Sequence, residues 1–223
     1  MSDDRFIILD LDGTLIPYDF ELEFCKLATL CCSNVILKIV VMLSSTLHPL
    51  LYRFYALLLK TLVKVTKIKT KGRYFSLSIR RSYFVSLLSF LYKLNPLDVD
   101  RCVSTAILDG LRKRRIVWSK VVLYRLKNEN KKYLLVTGSS VLPLIEKVRS
   151  FLMVDHIFRS YTIAFGVFTL KYEINKANIN ISANTRKKID VVITDSMEDL
   201  KVFSYAHYKM LVRNDGSLLE VPL

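Results

Sequence analysis

Three short, uniformly apolar runs that end in oxygen-bearing side chains constrain this chain more than any other feature. Phe6-Ile7-Ile8-Leu9 ends at Asp10, Tyr133-Leu134-Leu135-Val136 at Thr137, and Val191-Val192-Ile193 at Thr194 and Asp195. A strand with one wet face alternates apolar and polar residues. A strand covered on both faces does not alternate, and such strands belong to parallel sheets flanked by helices. Met210-Leu211-Val212 is a candidate fourth, shorter strand, and helical patterns at 142–151 and 196–206 follow the second and third runs. This rhythm predicts an α/β fold, a Rossmann-like parallel sheet with right-handed crossovers. Ligands of such sheets bind beyond the carboxyl ends of the strands. Asp10, Thr137 and Asp195 are therefore expected to converge, with Asp199 on the first turn of the last helix.

Between about residues 20 and 120 the α/β rhythm is lost. Apolar residues there recur at helical spacing, as in Leu50, Leu51, Phe54, Leu57, Leu58 and Leu62, with Asn95-Pro96 as punctuation. The expected organisation is an α/β core from 1–19 and 121–223, with a helical, basic cap at 20–120 inserted after the first strand. Only six glycines and five prolines break the chain, which favours long helices. Residues 165–168 read as a turn and strand. Ile179 and Ile181 alternate with polar neighbours as a strand would.

The net charge of +14 is unevenly placed: residues 24–97 hold twelve Lys or Arg and no Asp or Glu. Cys25, Cys31, Cys32 and Cys102 have no His at metal spacing and read as buried, reduced thiols. The N-terminus has neither a basic n-region nor a cleavage site, so the expected location is cytoplasmic.

Asp10-Leu11-Asp12-Gly13-Thr14-Leu15 carries the chemistry. Two carboxylates two residues apart at a strand end can divide labour. One attacks phosphorus to form an acyl phosphate, and the other protonates the leaving group and then activates water. An Asp-Gly hairpin turn is the rival reading, but it leaves the uniformly apolar strand unexplained. The hexapeptide resembles the first motif of the haloacid dehalogenase superfamily. Val136-Thr137-Gly138-Ser139 is similar to its second motif and Asp195-Ser196-Met197-Glu198-Asp199 to its fourth.

That resemblance implies a magnesium-dependent phosphatase acting on a small phosphorylated substrate. Asp10 would be the nucleophile and Asp12 the acid/base, with Thr137, Gly138 and a lysine on the phosphate. Asp10, Asp12 (through its carbonyl) and Asp195 would hold Mg2+, supported by Asp199. Magnesium's preference for hard oxygen ligands and retained waters agrees, whereas Asp195 and Asp199 could equally serve as helix caps. Lys176 has the family-like distance before Asp195, and Lys187 and Lys188 are alternatives. Thr194 stands where family members often carry Gly. The layout, with a helical cap after the first motif, is like that of phosphoserine phosphatase-like members, whose acidic substrate residue would correspond to Asp19.

The rivals to hydrolysis are phosphoryl transfer to another acceptor and a non-catalytic, membrane-associated domain. Residues 39–59 and 27–47 are long enough to span a bilayer, but Arg53, Pro49 and Lys38 interrupt them. Buried cap helices are the favoured reading over a re-entrant hairpin. The run Lys60, Lys64, Lys67, Lys69, Lys71, Arg73, Arg80 and Arg81, interleaved with Tyr74, Phe75, Tyr83 and Phe84, suits an anionic membrane surface. Its aliphatic content argues against nucleic acid as a partner. Peripheral attachment at the inner face of a membrane is the resulting expectation.

Overall fold

A computed structural model describes residues 5–31, 33–66, 75–127, 131–166, 168–179, 181 and 183–222. The central element is β1 (Arg5–Leu9). It pairs in parallel with β3 (Lys131–Thr137) on one side and β7 (Ile189–Thr194) on the other, with Leu9 level with both Leu135 and Ile193. With β4 (His156–Arg159), β8 (Tyr208–Val212) and β9 (Leu218–Val221) these form a six-stranded sheet among the described residues. Its order is β4-β3-β1-β7-β8-β9, parallel except for the last pair. The predicted α/β sheet is thus observed.

The uniformly apolar strands are explained by their two covered faces. Ile7, Leu9, Tyr133, Leu135, Val191 and Ile193 enter one core. Ile8, Leu134, Val136 and Val192 enter a second core on the opposite face. The first core is closed by α1 (Phe20–Cys31), α5 (Pro96–Lys113), α6 (Arg115–Lys127) and α7 (Leu142–Leu152). The second is closed by α9 (Met197–Val202), by Phe203 and Ala206 beyond it, and by Ile179 and Ile181. Leu9 and Ile7 are fully buried, so truncating either to Ala should cost about 2–5 kcal/mol.

The segment after β1 also contains α2 (Val35–Thr46), α3 (His48–Thr66), β2 (Phe75–Ser78) and α4 (Ile79–Leu94). The segment expected to be helical therefore also holds one short strand, β2. It pairs antiparallel with β6 (Phe168–Ile174), which pairs with β5 (Tyr161–Phe165), giving a second sheet in the order β2-β6-β5. Phe75-Ser76-Leu77-Ser78 does alternate apolar and polar residues, but so short a run is easily absorbed into the helical patterns around it. Tyr55, Leu59, Tyr83, Phe84, Leu170 and Tyr172 form a third core between this sheet and helices α3 and α4. Asn95 caps α5, its side chain accepting from the Asp98 N–H at 3.2 Å, with Pro96 in the first turn. The expected boundary at residue 120 falls inside α6, and α5 and α6 share the first core with the main sheet.

Two further expectations change. Ile179 and Ile181 are not in a strand. A 3-10 turn (Lys176–Asn178) precedes Ile179, and α8 (Ala183–Arg186) follows Ile181. Their alternation reflects two side chains buried against the sheet from an irregular segment. The helix after β7 ends at Val202, not Ala206, where the Phe203 N–H bonds back to the Asp199 carbonyl at 2.9 Å. Cys31 and Cys102 are buried. Cys32, the Cys25 side chain, Val167, and the basic stretch Lys67, Lys69, Lys71, Arg73 and Tyr74 lie outside the described residues. Among the described residues no helix is long and apolar enough to cross a membrane.

Candidate active site

The carboxyl end of β1 is the centre of the site. The Asp10 N–H continues the ladder to the Ile193 carbonyl at 3.1 Å. Its carboxylate then turns inward, Oδ1 accepting from the Leu11 N–H at 2.8 Å and Oδ2 from the Lys176 ammonium at 2.8 Å. Burial pushes the Asp10 carboxyl up to about 6, against the opposing pull of Lys176. The Lys176 ammonium also reaches Asp199 Oδ2 at 2.5 Å, and these two carboxylates raise it above the usual lysine value despite its burial. Of the three candidate lysines, Lys176 is the one brought to Asp10. Lys187 and Lys188 precede β7, at the opposite end of that strand from Asp195, and line a separate recess with Arg5 and His207.

Gly13 takes a positive φ of 77°, and a Cβ there would meet Asp195 Oδ2 at 2.1 Å. The glycine therefore serves both the turn and the close approach of β7's terminal carboxylate. Thr14 clasps the same residue, its hydroxyl donating to Asp195 Oδ1 at 3.1 Å and accepting from the Asp195 N–H at 2.9 Å. Thr194 has a use of its own: its hydroxyl donates to Asp199 Oδ2 at 3.2 Å and accepts from the Ser196 N–H at 3.2 Å.

Thr137 is fully buried at the end of β3, and its hydroxyl accepts from the Ser139 N–H at 2.9 Å. Gly138 borders open space, with nothing within 4 Å of where a Cβ would lie. The loop is tied down at Ser140, whose N–H and hydroxyl both donate to Glu21 Oε1 at 2.7 Å. Glu21 Oε2 meets the ammonium of Lys171 on β6, a pair with side chains 1% and 2% exposed.

A recess of about 210 Å³ is lined by Asp10, Asp12, Arg81, Gly138, Glu173, Ile174 and Lys176. Five elements or loops meet there, and Thr137 and Asp195 are not among its lining residues. Asp12 Oδ1 accepts from the Phe20 N–H at 3.2 Å, at the start of α1. Burial, then the negative charges of Asp19, Glu21 and Asp10, push the Asp12 carboxyl well above the usual range. Arg81, on α4, pairs with Asp19 and, through Nε, with Glu173 at 3.4 Å.

Arg81 was expected on a membrane-facing basic run; its place in the recess is a correction. No spacing in the sequence pairs Arg81 with Asp19. Arg114 and Trp118 were also missed. Arg114 donates to the carbonyls of Gly13 at 3.1 Å, Arg213 at 2.8 Å and Asn214 at 3.0 Å. Trp118 Nε1 donates to the Leu15 carbonyl at 2.8 Å. Together they fix the far side of the loop that presents Asp10 and Asp12.

Among the described residues no three His, Cys, Asp or Glu side chains converge closely enough to hold a metal ion unaided. The donor set is hard and sparse: Asp10 and Asp195, at the ends of two adjacent strands, with open recess beside Asp10. One or two carboxylates completed by water and phosphate is the way magnesium is commonly held, so the residues fit that ion.

Neither a family model nor a curated protein matches the sequence. Among solved structures, phosphoserine phosphatase in its apo form is similar at 15% identity and a TM-score of 0.44, covering 92% of this chain and 84% of that one. A phospho-aspartyl intermediate analogue of phosphoserine phosphatase gives 15% identity and a TM-score of 0.45, with 92% and 85% covered. A HAD family hydrolase from Salmonella enterica subsp. enterica serovar Typhi gives 11% identity and a TM-score of 0.37, covering 91% of this chain and 60% of that one.

Proposed function

We propose that the chain is a magnesium-dependent phosphatase that hydrolyses a small phosphomonoester through an aspartyl-phosphate. The observation that carries this reading is the recess itself. Asp10 presents a buried carboxylate at the end of the central strand, held by Lys176, with Asp12 two residues further on the same loop.

In the first step an Asp10 oxygen forms a bond to phosphorus as the ester P–O bond breaks, and Asp12 delivers its proton to the departing alkoxide. In the second, Asp12 takes a proton from a water that attacks the same phosphorus, which frees inorganic phosphate and restores Asp10. Lys176 stands beside Asp10 to pair with phosphoryl oxygens, and the open space at Gly138 lets those oxygens approach the loop after β3. Asp195 and Asp10 are the residues that would hold magnesium, with Asp199 orienting Lys176. When bound, the ion supplies positive charge that offsets the repulsion between phosphate and the carboxylates. The Arg81 guanidinium, paired with Asp19 and Glu173, lines the same recess.

The test is magnesium-dependent release of phosphate from a generic aryl phosphate, followed by a screen of sugar, amino-acid, nucleotide and lipid phosphates. Asp10→Asn, whose amide cannot attack phosphorus, should lower turnover by about 10⁴-fold or more. Full activity in that variant removes Asp10 as nucleophile. No turnover of any phosphomonoester by the wild type refutes the enzymatic reading.

A further inference from the structure

Helices α2 and α3 are seated on the protein by one side only. Val41 and Leu59 are fully buried, and the Tyr55 hydroxyl bonds to Ser86 at 2.8 Å and to the Thr169 carbonyl at 3.3 Å. Among the described residues, the opposite side carries eleven exposed large apolar residues between positions 35 and 58. Ile36, Leu43, Leu47, Leu50, Phe54 and Leu57 belong to a stripe whose members are three or four residues apart. The stripe keeps this spacing across Leu47, the one residue between the two helices. These positions were expected to face the interior of a cap. Leu50 is instead 67% exposed and Phe54 63%, and exposed apolar residues grouped in this way mark an interaction surface.

Charge selects the occupant. Lys38, Arg53, Lys60 and Lys64 are exposed on the same two helices, and residues 24–97 contain no acid at all. A second copy of this chain would set one wholly basic segment against another, a repulsive pairing. The complementary surface is apolar beneath and negative above. A bilayer containing anionic lipid has that profile, and helices with an aliphatic stripe flanked by bases lie in its headgroup region. Neither helix is long and apolar enough to cross, so the geometry is in-plane.

We propose that the outward face of α2 and α3 docks the protein on an anionic membrane surface. Tyr52 and Tyr55 of α3 pack against Tyr83 of α4, the helix that also carries Arg81 into the recess. The docking element is therefore one helix removed from the candidate active site. On the phosphatase reading, this presents the recess to phosphorylated groups at the lipid surface.

The experiment is flotation of the full chain with phosphatidylcholine vesicles, with and without phosphatidylglycerol, at low and raised salt. Attachment itself is measured, so it stands or falls apart from turnover. Vesicles containing phosphatidylglycerol should carry the protein, less so at raised salt. Leu50→Asp/Phe54→Asp should lower the partition coefficient by about tenfold or more. Leu126→Asp, at an exposed position on α6, should leave it unchanged. A circular dichroism melt checks that each variant folds. If the double variant does not, Phe54→Trp serves instead, and its fluorescence should shift to the blue on adding anionic vesicles. Protein that stays in the aqueous phase overturns the proposal and leaves the face to a protein partner. So does flotation indifferent to the double variant, or a Phe54→Trp emission that vesicles do not change. A lipid-free dimer that the double variant dissolves assigns the face to a second copy and overturns it as well.

Discussion

Lys171→Met should destabilise the protein more than any surface substitution, for a reason that can be worked from the contacts. Glu21 and Lys171 are buried on α1 and β6, with side chains 1% and 2% exposed. Glu21 Oε1 is satisfied by the two Ser140 donors at 2.7 Å, while Oε2 depends on the Lys171 ammonium. Methionine nearly fills the space of the lysine stem, so the packing loss is small. What remains is a buried carboxylate stripped of its cation, and breaking such a pair from one side costs about 3–5 kcal/mol. With a urea slope of about 2–3 kcal/mol/M, the midpoint should fall by about 1–2.5 M.

Lys171→Met/Glu21→Gln removes the charge while keeping an oxygen for Ser140. It should recover most of the loss, leaving a deficit below about 1.5 kcal/mol. Urea unfolding followed by circular dichroism, completed as a double-mutant cycle, measures both numbers. A single-variant cost under about 1 kcal/mol, or a double variant no better than the single, refutes the buried-pair reasoning.

Other perturbations separate the roles of neighbouring residues. Gly13→Ala must force a left-handed residue and displace the Asp195 carboxylate. It should cost about 1–2 kcal/mol in backbone strain alone and raise the magnesium concentration needed for half-maximal activity, read by metal titration. Gly138→Ala meets no atom in the free protein, so its thermal midpoint should match wild type within about 0.5 kcal/mol. A fall in kcat/KM in that variant then reports crowding of bound phosphate. Asp98 is pushed up by burial, but the Ser33 hydroxyl, the Asn34 and Ser33 N–H groups and Arg101 outweigh this and hold its carboxyl below the ordinary value. Its contribution to stability is therefore present above the ordinary carboxylate pKa of about 4 and lost as pH falls through the lower folded value. Asp98→Asn should flatten that part of the acid limb in urea midpoints taken between about pH 6 and pH 3, and an unchanged slope would count against it.

The central strands and the loop after β1 were legible in the sequence because their signals are local. A strand covered on both faces must be apolar at every position, and Asp10-Leu11-Asp12-Gly13-Thr14 is contiguous. The distribution of charge was equally plain, since it needs only counting. Tertiary structure alone decided the pairings. Lys176 rather than Lys187 or Lys188 meets Asp10 because the turn at 176–178 passes above the carboxyl end of the sheet, whereas the other two lie before β7 begins. Arg81 enters the recess through an ion pair with Asp19, a residue 62 positions away, and no periodicity encodes such a distance. The β2 strand exists because β6 offers it an edge. The stripe on α2 and α3 shows the remaining limit: helical spacing reveals that apolar residues share a face, but only packing of the rest of the chain decides whether that face is covered.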